Sequence, residues 1–208
     1  MAANVNDAVS SPDASERVSS LDVAAWFIEL AVEEQRPLTR LPLQKLVTLV
    51  QSMYGFQTSD KMYDEKVFAF KYGPVTKDVG KKYGDTAASR IDKPRTPLKV
   101  LPDDKMDAVA ELWGLCSDVT GKLVGVTHKV GPWKDHYVKD GKYAEIPWAE
   151  FVHAWPAYRK MILALKENLH PEVDRTPGNF ILPESEFGKY DQQILKAQQH
   201  VCAAPLSR

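Results

Sequence analysis

Phe68-Ala69-Phe70-Lys71-Tyr72-Gly73-Pro74-Val75 is the stretch around which this chain is organised. Val67, Phe68, Phe70 and Tyr72 are β-branched or aromatic and read as a strand over residues 67–72. Gly73 permits a sharp turn, and Pro74 fits the first position of a helix because that position needs no N–H partner. The segment therefore predicts strand, turn and helix, with the helix running to about Tyr83 and stopping at Gly84.

Outward from this stretch, helical spacing dominates. Ser19 or Ser20 is suited to cap a helix opening at Leu21, with Asp22 in its first turn, and Val23, Trp26, Phe27, Leu30 and Ala31 share one face. A second helix begins near Pro42, with Leu43, Leu46, Val47, Val50 and Tyr54 on its apolar face and Gln44, Lys45 and Gln51 off it. Leu98 to Leu101 reads as a short second strand beside the first. Asp103 and Asp104 cap a third long helix reaching about Val119, with Met106, Val109, Ala110, Trp113, Leu115 and Cys116 inward. Leu123 to His128 is a short apolar stretch, Gly131-Pro132-Trp133 opens a short helix through Tyr137, and Asp140-Gly141 marks a turn. A last helix runs from Pro147, and Pro156 inside it should kink or split it. The fold class is α+β, predominantly helical: a compact multi-helix domain with a small antiparallel β element around residues 67–72. Residues 1–19 read as a disordered arm, and residues 169–208 as a partly disordered extension with a helix at Glu186 to Gln199.

Bulk chemistry narrows the functional classes. The 208 residues carry 27 Lys plus Arg against 28 Asp plus Glu, so no basic surplus marks a broad phosphate-backbone binder. Cys116 and Cys202 form no CxxC pair, and the five histidines show no HExxH spacing, so no metal site or cofactor is expected. No apolar h-region follows Met1 and no apolar run would span a bilayer, which places the chain in the cytoplasm without a membrane partner. Glycine-rich phosphate loops and a Gly-x-Ser-x-Gly elbow are absent from the sequence. A Cys116 and His128 nucleophile–base pair is conceivable, but a cysteine on an apolar helix face is ordinarily an inert core thiol, so no enzyme is expected. His128 most simply bonds a nearby backbone group to hold its turn; the functional alternative puts it on a partner surface. Trp133 divides in the same way between core packing and interface anchor.

Several segments, taken in order, resemble one family. They are Leu43-Gln44-Lys45-Leu46, Tyr72-Gly73-Pro74-Val75, Thr127-His128 and Gly131-Pro132-Trp133, preceded by Leu21-Asp22-Val23-Ala24 and followed by Ile146. The set resembles the Panacea-domain antitoxin family, also called SocA-like or GepA-like, over residues 20–168. The resemblance implies a toxin–antitoxin system whose antitoxin binds and neutralises a cognate protein toxin. It further implies a proteolytic adaptor that hands the toxin to ClpX of the ClpXP protease. The arm and the C-terminal extension lie outside the shared pattern. Candidate toxin-binding residues are Lys45, Lys71, Tyr72, Val75, His128 and Trp133, with Gly73 and Pro74 shaping the backbone. The alternative from another class is a DNA-binding transcriptional regulator, for which Lys81-Lys82 and Arg90 to Arg95 supply few charges and no clear recognition helix.

Overall fold

The computed structural model describes residues 18–86, 89–137 and 143–168. Helix α1 (Ser20–Glu33) starts where the sequence places it. The Asp22 amide donates to Ser19 Oγ at 3.2 Å, and the Ser19 amide donates to the Asp22 carboxylate at 2.9 Å, a reciprocal capping box. Ser19 is thus the N-cap and Val18 is buried in the core, so the folded part begins before residue 20. The arm and extension expected at the two ends otherwise fall outside the described residues.

Helix α2 (Arg40–Thr58) is the axis of the molecule. Every residue from Arg40 to Gly55 is buried, because α1, a strand of the hairpin at residues 67–76 and the later helices of the chain surround it. The expectation that Gln44, Lys45 and Gln51 lie off the packed face is corrected: a helix enclosed on all sides has no solvent face. Buried polar groups must find partners, and here they bond to main chain from distant segments. Arg40 Nη1 donates to the Gly84 carbonyl at 2.6 Å. Gln51 Oε1 accepts from the Met62 and Tyr63 amides at 2.8 and 3.3 Å, while its Nε2 donates to the Tyr63 carbonyl at 3.0 Å. Ser52 Oγ donates to the Phe151 carbonyl at 2.6 Å. Gly55 does not weaken the helix so much as admit a neighbour, since a Cβ there would sit 2.6 Å from Val152 Cγ2.

The opening octapeptide is a hairpin followed by a helix. Strand β1 (Val67–Phe70) pairs antiparallel with β2 (Gly73–Thr76), Phe70 opposite Gly73, and Lys71-Tyr72 form the two-residue connection. Gly73-Pro74 therefore opens a strand rather than a helix, and helix α3 (Lys77–Lys82) begins after Thr76. Proline fits because β2 is at the edge of the sheet, whose order is β2-β1-β3. The third strand is β3 (Glu145–Ile146), pairing with Val67 and Phe68. Leu98 to Leu101 is not a strand; Pro97 and Pro102 bracket it, and the Lys99 carbonyl accepts from Trp26 Nε1 at 2.7 Å.

Helix α4 (Asp103–Cys116) runs into a 3₁₀ turn (Ser117–Lys122) and then α5 (Leu123–Lys129), so the apolar stretch at Leu123 is helical. Asp103 and Asp104 sit inside the first turn of α4 instead of capping it, and the Asp104 carboxylate accepts from the Tyr54 hydroxyl. The inward face of α4 uses Ala108 and Leu112 with Val109, Trp113 and Cys116, while Ala110 is exposed. Helix α6 (Pro132–His136) opens at the Gly-Pro signal. Pro156 does split the last helix, into α7 (Trp148–His153) and α8 (Trp155–Glu167) with Ala154 between them. The fold is α+β, predominantly helical, with a small three-stranded antiparallel sheet.

Candidate functional site

Three helices meet at the β1–β2 hairpin and together aim four side chains at its main chain. From α2, Gln44 Nε2 donates to the Thr76 carbonyl at 3.1 Å and its Oε1 accepts from the Thr76 amide at 3.2 Å. The next residue, Lys45, donates from Nζ to the Pro74 carbonyl at 2.8 Å. From α5, the His128 ring is hydrogen-bonded to the Tyr72 backbone. From α6, Trp133 Nε1 donates to the Phe70 carbonyl at 2.6 Å. The hairpin is thus gripped at Phe70, Tyr72, Pro74 and Thr76 by groups from three helices. Buried hydrogen bonds of this kind contribute about 1 kcal/mol each, and leaving one partner unpaired costs more.

Gly73 makes this grip possible. Its φ is +100°, a conformation that L side chains rarely adopt, and a Cβ would lie 2.7 Å from Thr127 Oγ1 and 2.8 Å from Lys45 Nζ. The adjacent Thr127 Oγ1 donates back to the Val124 carbonyl at 3.1 Å, which keeps it in place.

The electrostatics follow from burial. Lys45 is wholly enclosed, and the loss of solvent drives its pKa well below that of an ordinary lysine. His128 is lowered to about 4, first by burial and then by the Lys45 charge, against the hydrogen bond to Tyr72. Its Nε2 is buried without a hydrogen-bond partner. The neutral ring stacks on Trp133 at 4.0 Å between centroids and 2° between planes, and Trp133 stacks in turn on Tyr137 at 5.0 Å. A second stack, Phe70 on Tyr143 at 3.9 Å, covers the hairpin. The Tyr72 phenol, packed with Leu41 and Val124, is pushed up to about 12 by burial and then by Tyr137.

The structure therefore brings five of the six candidate residues, Lys45, Lys71, Tyr72, His128 and Trp133, to one hairpin and puts the sixth, Val75, on its second strand. They are not equally available. Lys45, Tyr72 and Val75 are 0, 6 and 6 % exposed and offer almost no surface to a macromolecule; they act from within by fixing the hairpin. Lys71 is exposed, with Nζ 5.4 Å from the Tyr72 ring centroid, and His128 and Trp133 are half-buried. His128 does hold a turn, though that of Lys71-Tyr72 and not its own. The sequence reading missed Lys77, Tyr137 and Tyr143 as hairpin neighbours. Lys77 Nζ stands 3.8 Å over the Phe68 ring, and Tyr137 bridges antiparallel to Tyr143, a pairing that the Asp140-Gly141 turn signal between them could have suggested.

Elsewhere, Cys116 is buried and burial raises its thiol to about 12, so thiolate is scarce at neutral pH. A cavity of about 110 Å³ lies between α2, residues 61–67, β3 and α7, with Gln51, Glu65, Trp148 and Phe151 in its wall. Among the described residues no three His, Cys, Asp or Glu side chains are grouped to hold a metal, and no helix is long and apolar enough to cross a membrane. Comparison of the chain with protein-family models, with curated proteins and with solved structures found no match in any of the three.

Proposed function

We propose that this chain is a protein-binding module: an antitoxin that binds and neutralises a cognate protein toxin, acting as an adaptor that delivers it to the ClpXP protease. One observation carries the reading. The segments that resemble the antitoxin family, scattered from Leu43 to Trp133, converge on a single hairpin through side-chain to main-chain bonds. Their side chains are committed to holding a small surface element rigid, which is what a recognition element needs if binding is not to lose affinity to ordering. The exposed or half-exposed positions of that element, Lys71, His128 and Trp133, form the contact edge, and Lys45, Tyr72 and Val75 support it.

The test uses purified components. The product of the adjacent gene is captured on the immobilised chain, and its turnover by ClpXP is then followed with ATP. Tight capture with accelerated turnover supports an adaptor antitoxin. Capture without turnover reduces the reading to neutralisation. No capture overturns it and leaves the transcriptional regulator, whose sign is salt-sensitive binding to its own promoter. Removal of residues 1–17 spares capture and abolishes turnover if that arm is the tether to the protease.

A further inference from the structure

Charge is unevenly distributed over the chain. It is -1 overall, yet the segment from Lys66 to Lys82 holds five lysines and one acid, Asp78. The segment from Lys122 to His136 holds three lysines and one acid, Asp135. These two segments are the hairpin with α3 and the α5–α6 pair packed against the hairpin. All eight lysines are exposed or half-exposed. Lys71 is in the hairpin's connection, and Lys129 and Lys134 are the exposed neighbours in sequence of two residues bonded to the hairpin, His128 at Tyr72 and Trp133 at Phe70.

We propose that this end of the hairpin is a docking surface for an acidic protein segment, with Lys71, Lys129 and Lys134 as its positive rim and the half-buried rings of Trp133, Tyr137 and Tyr143 as its apolar centre. It rests on the reading of the chain as a protein-binding module and states the chemistry of the partner's surface. Aromatic centres with charged rims are the usual anatomy of protein interfaces, and a one-signed rim steers an opposite partner during encounter. The grip of α2, α5 and α6 presents this surface in one conformation.

Three features favour an acidic protein over a nucleic acid. Neither segment contains an arginine, the side chain whose fork matches phosphates and base edges. The helices here have six, seven and five residues, too short to read a groove. The rings of Trp133 and Phe70 are already stacked on protein rings and offer no open platform for bases.

The experiment compares the full chain with a triple variant, Lys71→Glu, Lys129→Glu and Lys134→Glu, and with a control triple at exposed sites away from the hairpin, Lys93→Glu, Arg159→Glu and Lys160→Glu. Circular dichroism melts establish that both fold, and the corresponding Lys→Gln triple replaces the first if it does not. The adjacent-gene product is titrated at about 50 and about 300 mM salt, values that bracket strong and weak screening. The expected result is a loss of roughly 100-fold for the hairpin triple at low salt, narrowing at high salt, against less than about 3-fold for the control. Equal effects of the two triples, or wild-type affinity indifferent to salt, overturn the inference while leaving the antitoxin reading intact. Should the wild type not bind that product, the antitoxin reading fails, and a fluorescein-labelled poly-glutamate peptide decides the surface: binding that the hairpin triple abolishes sustains it, and no binding overturns it. A random-sequence DNA duplex bound at about 150 mM salt and released by the hairpin triple overturns it in favour of nucleic acid.

Discussion

Replacing Gly73 by alanine tests the hairpin grip at its tightest point. Two costs are separable. An L residue held at φ +100° is strained by about 1–3 kcal/mol. The new Cβ would also stand 2.8 Å from Lys45 Nζ and 2.7 Å from Thr127 Oγ1, so both side chains must shift. Lys45 has no room to shift freely, because it is wholly buried and tied to the Pro74 carbonyl; breaking that bond costs about 1.5–3 kcal/mol. The sum is about 2.5–6 kcal/mol, a large share of the ~5–15 kcal/mol that stabilises a typical domain. Urea denaturation followed by tryptophan fluorescence measures it. Gly125→Ala in α5 is the control: nothing lies within 4 Å of its Cβ, so stability should hold or rise by up to ~1 kcal/mol. In a Lys45→Ala background the Gly73→Ala cost should shrink by at least ~1 kcal/mol, since one of the two clashes is gone. A Gly73→Ala loss below about 1 kcal/mol, or a loss unchanged by removing Lys45, refutes the close packing inferred around this glycine.

Gln51→Leu strips partners from the Met62 amide and from both the amide and carbonyl of Tyr63, so the urea midpoint should fall by the equivalent of about 3 kcal/mol; a change under ~1 kcal/mol would show that these bonds are dispensable. His128 gives a pH signature. Above its ordinary value of 6.5 both folded and unfolded rings are neutral; as pH falls from there towards about 4 the unfolded chain takes up a proton that the folded chain refuses, and stability drops. The loss is at most about 3 kcal/mol, and about half that once solvent screening at a partly exposed ring is allowed for; His128→Gln should flatten the profile between pH 6.5 and 4, and parallel profiles would refute the assignment. In a Cys202→Ser background, folded protein should react with a maleimide at pH 7 at least ~100-fold more slowly than urea-unfolded protein; rapid labelling of Cys116 would revive the Cys116 and His128 nucleophile–base pair.

What the sequence made legible was local. Ser19 with Asp22 announced the start of α1, and Pro156 announced the break between α7 and α8, because capping and proline sterics act within a few residues. The Gly73-Pro74 pair was ambiguous because proline suits a helix start and an edge strand alike, and nothing within the octapeptide says which strands lie beside it. Strand β3 escaped notice because two residues carry no periodicity. The polar residues of α2 could not be seen as buried because their partners lie up to 99 residues away. The same distance hid the candidate site's logic. Lys45 reads as a contact residue and His128 as holding its own turn or meeting a partner, whereas the geometry of both is set by the turn at Tyr72 to Pro74, with which neither shares a neighbourhood in the chain.

The enclosed polar face of α2 also bears on how the molecule is made. A ribosome releases α2 long before Phe151, whose carbonyl Ser52 requires, and before the α5 and α7 segments that close around it. Arg40, Gln44 and Gln51 find their partners among residues 62–84, so those bonds can close while the chain is half made, whereas Ser52 must wait for Phe151. Closure of the centre therefore requires synthesis through α7 and α8, both of which pack on α2, so the core around this helix is completed late.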